Sequence, residues 1–227
     1  MKDLVIVGHG GLAREVAFLV EEINRSVPAW KLLGYISPKS AEVGRRVGNY
    51  TVCGDDAWLS GVDRSIAAVL AIGNLKIMAA VRERLAANSH IEFPNLVHPT
   101  VTGDWGRITL AQGNLLFNGV SLTTDISIGS FNIVNPGCTL SHDCVLGSFN
   151  LLGPGVHLAG AVIVSDRVLL GTGAKLLPKV QVCDDVVVGA GAVVVNSIAD
   201  PGTYVGVPSR RVTERDVNED ADSHHCL

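Results

Sequence analysis

The sequence predicts an α/β lobe of Rossmann type followed by a three-sided parallel β-helix, and two patterns carry that prediction. The first is a six-residue period. Between residues 110 and 194 the series Leu110, Leu116, Leu122, Ile128, Val134, Leu140, Leu146, Leu152, Leu158, Val164, Leu170, Leu176, Val182, Val188 and Val194 is unbroken. With 47% of the chain hydrophobic, fifteen successive matches have odds on the order of one in 10⁴–10⁵, so composition does not explain them. Each hexad is one short strand plus a corner, and three hexads close a triangular coil, so the series makes five coils. The second pattern is the alternation of strand and helix signals over the first ninety residues.

In the lobe, Leu4-Val5-Ile6-Val7 is a continuous apolar run of the kind buried in parallel sheets. Gly8-His9-Gly10-Gly11 follows, then a helix over 12–23 with Val16, Leu19, Val20 and Ile23 on one face. A strand over 32–36 and a short strand near Val52 come next. The apolar run 67–72 ends at Gly73-Asn74 and opens a helix over about 75–88. The expected domains are 1–92 for this Rossmann-like lobe, 93–200 for the β-helix, and 201–227 for a fold-back segment and tail.

Phe93-Pro94-Asn95 and Val97-His98-Pro99-Thr100 read as the linker and first turn of the solenoid. The six-residue phase slips between 101 and 109, which predicts an irregular coil or short loop. Asp200-Pro201-Gly202 breaks the repeat, Tyr204-Val205-Gly206-Val207-Pro208 folds back over it, and residues beyond Arg215 carry no core signal. Four residues after each anchor the chain faces inward again. That column holds Asn114, Asn132 and Asn150, one coil apart, which predicts a buried amide ladder continued by Val168 and Val186.

A net charge of −4 argues against a nucleic-acid partner. No apolar run approaches the roughly 20 residues of a membrane span. Met1-Lys2-Asp3-Leu4 enters a strand without a secretory cleavage pattern. The five cysteines, at 53, 138, 144, 183 and 226, form no CxxC pair and leave an odd one. Reduced thiols in a cytoplasmic protein are expected, with Cys138 and Cys144 filling core space.

Several features carry possible chemistry. The glycine turn aims backbone N–H groups at an anion, although its spacing is not a full GxGxxG and also suits a tight turn that binds nothing. His142, at a corner in Leu140-Ser141-His142-Asp143-Cys144, presents an imidazole able to take a proton near pH 7, with Asp143 beside it. Taken alone, the pair also describes a solvated corner histidine. His98, His142 and His157 lack the spacing of a zinc site, so no metal is expected. Gly171-Thr172-Gly173-Ala174 and Gly189-Ala190-Gly191-Ala192 leave shallow grooves suited to a thin pantetheine arm, and tight corners need small residues in any case. Arg210 and Arg211 could reach phosphates or stand in solvent.

Taken together, the chain resembles the left-handed β-helix (hexapeptide-repeat) acyltransferases, and among them the sialic acid O-acetyltransferase and sugar-nucleotide N-acetyltransferase family. The motifs are Val5-Ile6-Val7-Gly8-His9-Gly10-Gly11, Ala71-Ile72-Gly73-Asn74, Val97-His98-Pro99-Thr100, Ser141-His142-Asp143-Cys144-Val145-Leu146-Gly147 and Gly202-Thr203-Tyr204-Val205-Gly206-Val207-Pro208. The resemblance implies a homotrimer that transfers acetyl from acetyl-CoA to an amino or hydroxyl group of a sugar, one linked to a nucleotide, for surface-glycan synthesis. It implies a cleft between neighbouring solenoids. His142 would be the base, Asp143 its orienting partner, and Asn135 part of the acceptor side. Acetyl-CoA contacts map onto Leu151, Gly171, Thr172 and Ala190, and nucleotide contacts onto Gly10, Gly11, Gly73 and Asn74.

Two departures stand out. The family's acidic pair after the second strand is replaced by Gly34-Tyr35-Ile36-Ser37-Pro38, and a histidine frequent near the thioester is Leu151. The latter loses about 1 kcal/mol if that histidine made a plain hydrogen bond. These departures leave room for two other readings, a non-catalytic ligand-binding trimer and an O-acetyltransferase of sialic acid or another small hydroxyl acceptor.

Overall fold

Leu4, Val5, Ile6 and Val7 are all buried, and the strand they form is central to the lobe. A computed structural model describes residues 1–212; the expected tail beyond Arg215, including Cys226, lies outside the described residues. The lobe runs β1 (Lys2–Val7), α1 (Gly11–Ser26), β2 (Trp30–Ser37), β3 (Arg46–Val47), β4 (Tyr50–Asp55), α2 (Asp56–Ser60), β5 (Ile66–Leu70), α3 (Leu75–Leu85) and β6 (Ile91–Glu92). The sheet order is β3-β4-β2-β1-β5-β6, with only β3–β4 antiparallel. The chain steps from β1 to β2 on one side and reaches β5 on the other. That reversal opens a crevice at the carboxyl ends of β1 and β5, where such sheets bind ligands.

α1 forms because Ala13, Val16, Ala17, Leu19 and Val20 fall on one buried face over the sheet. Asn74 caps α3 by accepting from the Ile77 N–H at 3.1 Å. Sequence reasoning gave α1, β2, β4, β5 and α3 their places but no β3, α2 or β6. These elements have two, five and two residues, too few to show a period.

The solenoid has three faces. Face A holds Leu96–Val97, Leu115–Leu116, Ile133–Val134, Leu151–Leu152, Leu169–Leu170, Val186–Val188 and Gly202–Val205. Face B runs from Ser121–Leu122 through Thr139–Leu140, His157–Leu158 and Lys175–Leu176 to Val193–Val194. Face C runs from Ile108–Leu110 through Ile126–Ile128, Val145–Leu146 and Ile163–Val164 to Gln181–Val182. Every strand pairs in parallel with the one a coil further on, as Thr139 does with His157 and Val145 with Ile163. The anchors from Leu116 to Val194 are buried, each contributing about 1.5–3 kcal/mol relative to exposure.

From Gly113 to Gly191 each corner turns through a residue of positive φ, with a division of labour. The A-to-B corners use glycine throughout, at Gly119, Gly137, Gly155, Gly173 and Gly191. The B-to-C corners use Asp125, Asp143, Ala161 and Lys179, and the C-to-A corners Gly113 and then Phe131, Phe149, Arg167 and Asp185.

The phase slip is one inserted residue. Val97 and Thr102 pair with Leu116 and Ser121, nineteen residues on, whereas Ile108 pairs with Ile126, eighteen on. Gly103 takes the anchor place in the irregular coil. A Cβ there would lie 2.7 Å from Ile108 Cδ1 and 3.1 Å from Leu122 Cβ.

The asparagine column is buried as expected, but its bonding differs from amide-to-amide stacking. Each side-chain carbonyl accepts the backbone N–H one coil on: Asn114 from Asn132, Asn132 from Asn150, and Asn150 from Val168, at 2.7–2.9 Å. Amide-to-amide bonds are confined to the top of the column, where Asn132 Nδ2 donates to Asn114 Oδ1 and Asn114 Nδ2 to Asn95 Oδ1. Asn95 extends the column upward by accepting the Asn114 N–H.

At the other end, the strand Gly202–Val205 remains parallel, pairing with Val186–Val188. The fold-back is confined to Arg210–Arg211, antiparallel to Tyr204–Val205. The β-sheet therefore passes the boundary expected at 200.

The lobe sits on face A. Phe93 meets Phe131 edge-on and Phe131 stacks on Phe149, each at 5.2 Å between centroids. Ile133, Leu151 and Leu169 join the lobe's core.

Candidate active site

His142 stands at the B-to-C corner with its ring exposed. Its Nδ1 donates to Asp143 Oδ2 at 2.8 Å, and Asp143 itself has φ 61°. The corner turn thus swings the carboxylate alongside the ring, which leaves Nε2 as the free acceptor. The imidazole passes over Gly160, one coil below, where a Cβ would lie 2.5 Å from Nε2. His157, on face B, shares a 2.8 Å hydrogen bond with Thr139 Oγ1 and belongs to no catalytic pair.

The remaining expected site residues fall elsewhere. Gly10 and Gly11 lie at the turn into α1, whose first turn has no side-chain cap. Gly8 has φ 111°, and a Cβ there would lie 2.7 Å from the Ala71 carbonyl oxygen. That close approach brings the turn after β1 against the turn after β5. Gly73 and Asn74 open a cavity of about 340 Å³ between the start of α3 and face A, with Lys76, Arg167, Leu169 and Asp185 on its walls. The Arg167 guanidinium holds the Asp185 carboxyl below its usual range. Leu151 pairs with Leu169 one coil below it and packs on the lobe core.

Gly171, Thr172 and Ala190 lie along the A-to-B edge. The glycines there answer to the backbone: a Cβ on Gly171 would lie 2.5 Å from the Ala190 nitrogen. Around Gly155, Gly173 and Gly191, by contrast, a Cβ would meet nothing within 4 Å, so the edge is bare. Asn135 sits higher on that edge, lining a cavity with Glu15 and Phe18 of α1 and donating its amide to Leu152 O.

Two groups of residues therefore result within one chain. Gly10, Gly11, Gly73, Asn74, Leu151, Gly171, Thr172, Ala190 and Asn135 lie on the lobe, face A or its A-to-B edge. His142 and Asp143 lie on the B-to-C edge. In a three-sided prism that edge is opposite face A, so the chain's own lobe is turned away from its histidine.

Among the described residues the cysteines are poor nucleophile candidates. Burial pushes the Cys138 thiol up to about 11 and raises Cys144 and Cys53 as well. Among the described residues no group of three or more His, Cys, Asp or Glu side chains could hold a metal, and no helix is long and apolar enough to cross a membrane. Arg211 is occupied, donating to Pro201 O.

The PglD N-terminal domain family model matches residues 3–86. PerB from Caulobacter crescentus, in complex with CoA and GDP-perosamine, is 30% identical over 94% of this chain and 98% of its own, with a TM-score of 0.82. The chain belongs to the left-handed β-helix sugar N-acetyltransferase family. Within this family, the acetyltransferase domain of PglB from Neisseria gonorrhoeae FA1090, in complex with acetyl coenzyme A, is 26% identical, covers 93% and 99% of the two chains, and has a TM-score of 0.84. WeeI from Acinetobacter baumannii AYE shares the fold at 22% identity, 93% and 100% coverage and a TM-score of 0.81. No curated protein sequence matches the chain.

Sequence reasoning missed one group beside the glycine turn. Ser37 ends β2 without an acid, yet the 3-10 turn Ser40–Glu42 returns Glu42 to that place. Glu42 accepts from the Ser37 hydroxyl and lies 2.8 Å from His9 Nε2. The Ser37 bond, helped by His9, Lys39 and Arg45, holds the Glu42 carboxyl below its ordinary range. No motif announced this, because Glu42 arrives through tertiary folding.

Proposed function

We propose that this chain is an acetyl-CoA-dependent N-acetyltransferase of a nucleotide-linked amino sugar, with each active site built by two copies of a homotrimer. The observation that supports it is the separation of the oriented His142–Asp143 pair from the chain's own lobe. A neighbouring copy packed against face A would bring its B-to-C edge to the crevice holding Gly73 and Asn74. PerB with CoA and GDP-perosamine, and the PglB domain with acetyl coenzyme A, supply the substrate classes. A PerB His→Asn variant has also been crystallised with both ligands.

In this reading His142 Nε2 removes a proton from the acceptor amine as the amine attacks the thioester carbonyl, and coenzyme A leaves as the thiol. Asp143 fixes the tautomer and supports the imidazolium that forms. The bare A-to-B edge beside Gly155, Gly173 and Gly191 fits a thin amide-bearing chain, with Gly171, Thr172 and Ala190 along its course. Gly10, Gly11, Gly73 and Asn74 hold the nucleotide side, Asn135 belongs to the acceptor side, and Leu151 offers the acetyl group an apolar wall. The enzyme acts in the cytoplasm, in glycan synthesis. Thiol release from acetyl-CoA, tested against a panel of nucleotide-linked amino sugars, checks this: turnover with at least one is expected, and none with any would refute it.

A further inference from the structure

The residue inserted in the first coil falls at a B-to-C corner, on the edge that carries His142 two coils further down. Thr102 pairs with Ser121 of face B and Ile108 with Ile126 of face C, so Gly103-Asp104-Trp105-Gly106-Arg107 makes that corner. The corner is tied from both ends. The Asp104 N–H donates to Thr123 O at 3.0 Å, and the Asp104 carboxylate accepts from the Thr124 hydroxyl at 3.0 Å. Arg107 donates twice to Asp125, from Nε and from Nη2, at 2.8 Å each. The Asp143 N–H in turn donates to Thr124 O at 3.2 Å, so the three corners stack directly. Between the two ties stands Trp105, 47% exposed, and among the described residues its ring enters no aromatic pair.

Position gives this indole a use. The bare edge offered to a pantetheine arm, beside Gly155, Gly173 and Gly191, lies in the coils below His142, so an acceptor has the coils above it. Coils stand about 4.8 Å apart, which sets the Trp105 backbone about 10 Å above His142, within a side chain's reach of a sugar ring whose amine meets Nε2. These corners carry three carboxylates, Asp104, Asp125 and Asp143, against the one guanidinium of Arg107. Such an edge repels phosphates and leaves them to the neighbouring lobe. It takes the uncharged part of the acceptor. We propose that Trp105 is a specificity-determining residue that reads that part: its indole stacks on the C–H face of the acceptor's pyranose ring, in the site shared with the neighbouring copy. A flat, rigid aromatic side chain loses little entropy on binding and matches an apolar ring face, while Asp104 and Arg107 keep the corner in place. The inference rests on the proposed function and deepens it, by separating recognition of the sugar from recognition of the nucleotide.

The test is fluorescence titration of the intact protein with GDP-perosamine, the ligand of PerB, and with UDP- and dTDP-linked 4-amino sugars, each beside its bare nucleoside diphosphate. In the wild type at least one sugar nucleotide is expected to shift the tryptophan emission and to bind about tenfold more tightly than its bare nucleotide. Trp105→Ala should lose the shift, although Trp30 and Trp58 remain, and should lose the affinity advantage while bare nucleotide binds as before. Trp105→Phe should keep most of that advantage. Trp105 is exposed, so Trp105→Ala is expected to fold and to keep the wild-type oligomeric mass. Three results would each overturn the proposal: a wild type that binds no sugar nucleotide better than its nucleotide, a Trp105→Ala variant that keeps the advantage, or one that loses its assembly, which would make the indole a subunit contact. Acetyl transfer is scored separately. In Trp105→Ala the KM for the acceptor should rise about tenfold with the KM for acetyl-CoA unchanged. Sugar binding that follows Trp105 without thiol release from acetyl-CoA would refute the enzymatic reading and leave the stacking role standing. Transfer with an acceptor KM indifferent to Trp105 would do the reverse.

Discussion

The imidazole of His142 rests over Gly160, one coil down, with room for a hydrogen and nothing larger: an added Cβ would lie 2.5 Å from Nε2 and 2.6 Å from Cε1. Gly160→Ala should therefore displace the ring while leaving the solenoid folded. kcat is expected to fall roughly tenfold or more, since displaced acid–base groups lose most of their contribution. The thermal midpoint should change little. Steady-state kinetics with a melting curve on the same sample reads both.

Removing the proposed base should cost more than moving it. His142→Ala is expected to lower kcat by at least about 10²-fold without changing the oligomeric state. Asp143→Asn should give a smaller loss, because the ring keeps its place but loses a charged partner. Scattering mass and kcat, measured together, separate a lost base from a lost assembly.

The asparagine ladder governs stability and not chemistry. In Asn132→Ala the Asn150 backbone N–H loses its acceptor and Gly147 O loses a donor. Orphaned buried groups cost about 1–3 kcal/mol each, so the midpoint should drop by roughly 5–10 °C for a chain of this size. Activity at 20 °C should persist. Thermal unfolding of the variant, followed by circular dichroism, gives the shift directly.

Thiol chemistry should leave turnover untouched. With its thiol at about 11, Cys138 is only about one part in a thousand thiolate at pH 8. Cys138→Ser and Cys144→Ser are expected to keep kcat near wild type, and iodoacetamide at pH 8 should not inactivate the folded protein. Mass spectrometry of labelled peptides identifies any site that reacts.

The sequence made the solenoid legible because its signal is repeated fifteen times, and each rung repeats the same local decision. The lobe was legible where elements are long enough for a period, as in α1 and β5. What stayed hidden was set by long-range contact. The β3–β4 hairpin is too short to show a pattern, yet it carries Arg45 and Arg46 to the glycine turn. Glu42 stands at the end of β2 only after a 3-10 turn bends the chain back. The slip before residue 109 was visible as lost phase, but Gly103 as the displaced anchor required the pairing of Thr102 with Ser121. His142 and Asp143 could be named from sequence; their position opposite the lobe could not.

Mixed assemblies test the shared site most directly. Gly10→Asp sets a negative charge at the glycine turn, where a Cβ meets nothing within 4 Å and aspartate is a favoured helix cap, so the fold should survive. His142→Ala and Gly10→Asp chains should each be nearly inactive alone. Refolded together in equal amounts, they should regain roughly a quarter of wild-type turnover, because one site in four then joins an intact histidine to an intact neighbouring lobe. A mixture no more active than its parents, from chains shown by mass to have co-assembled, would contradict the account.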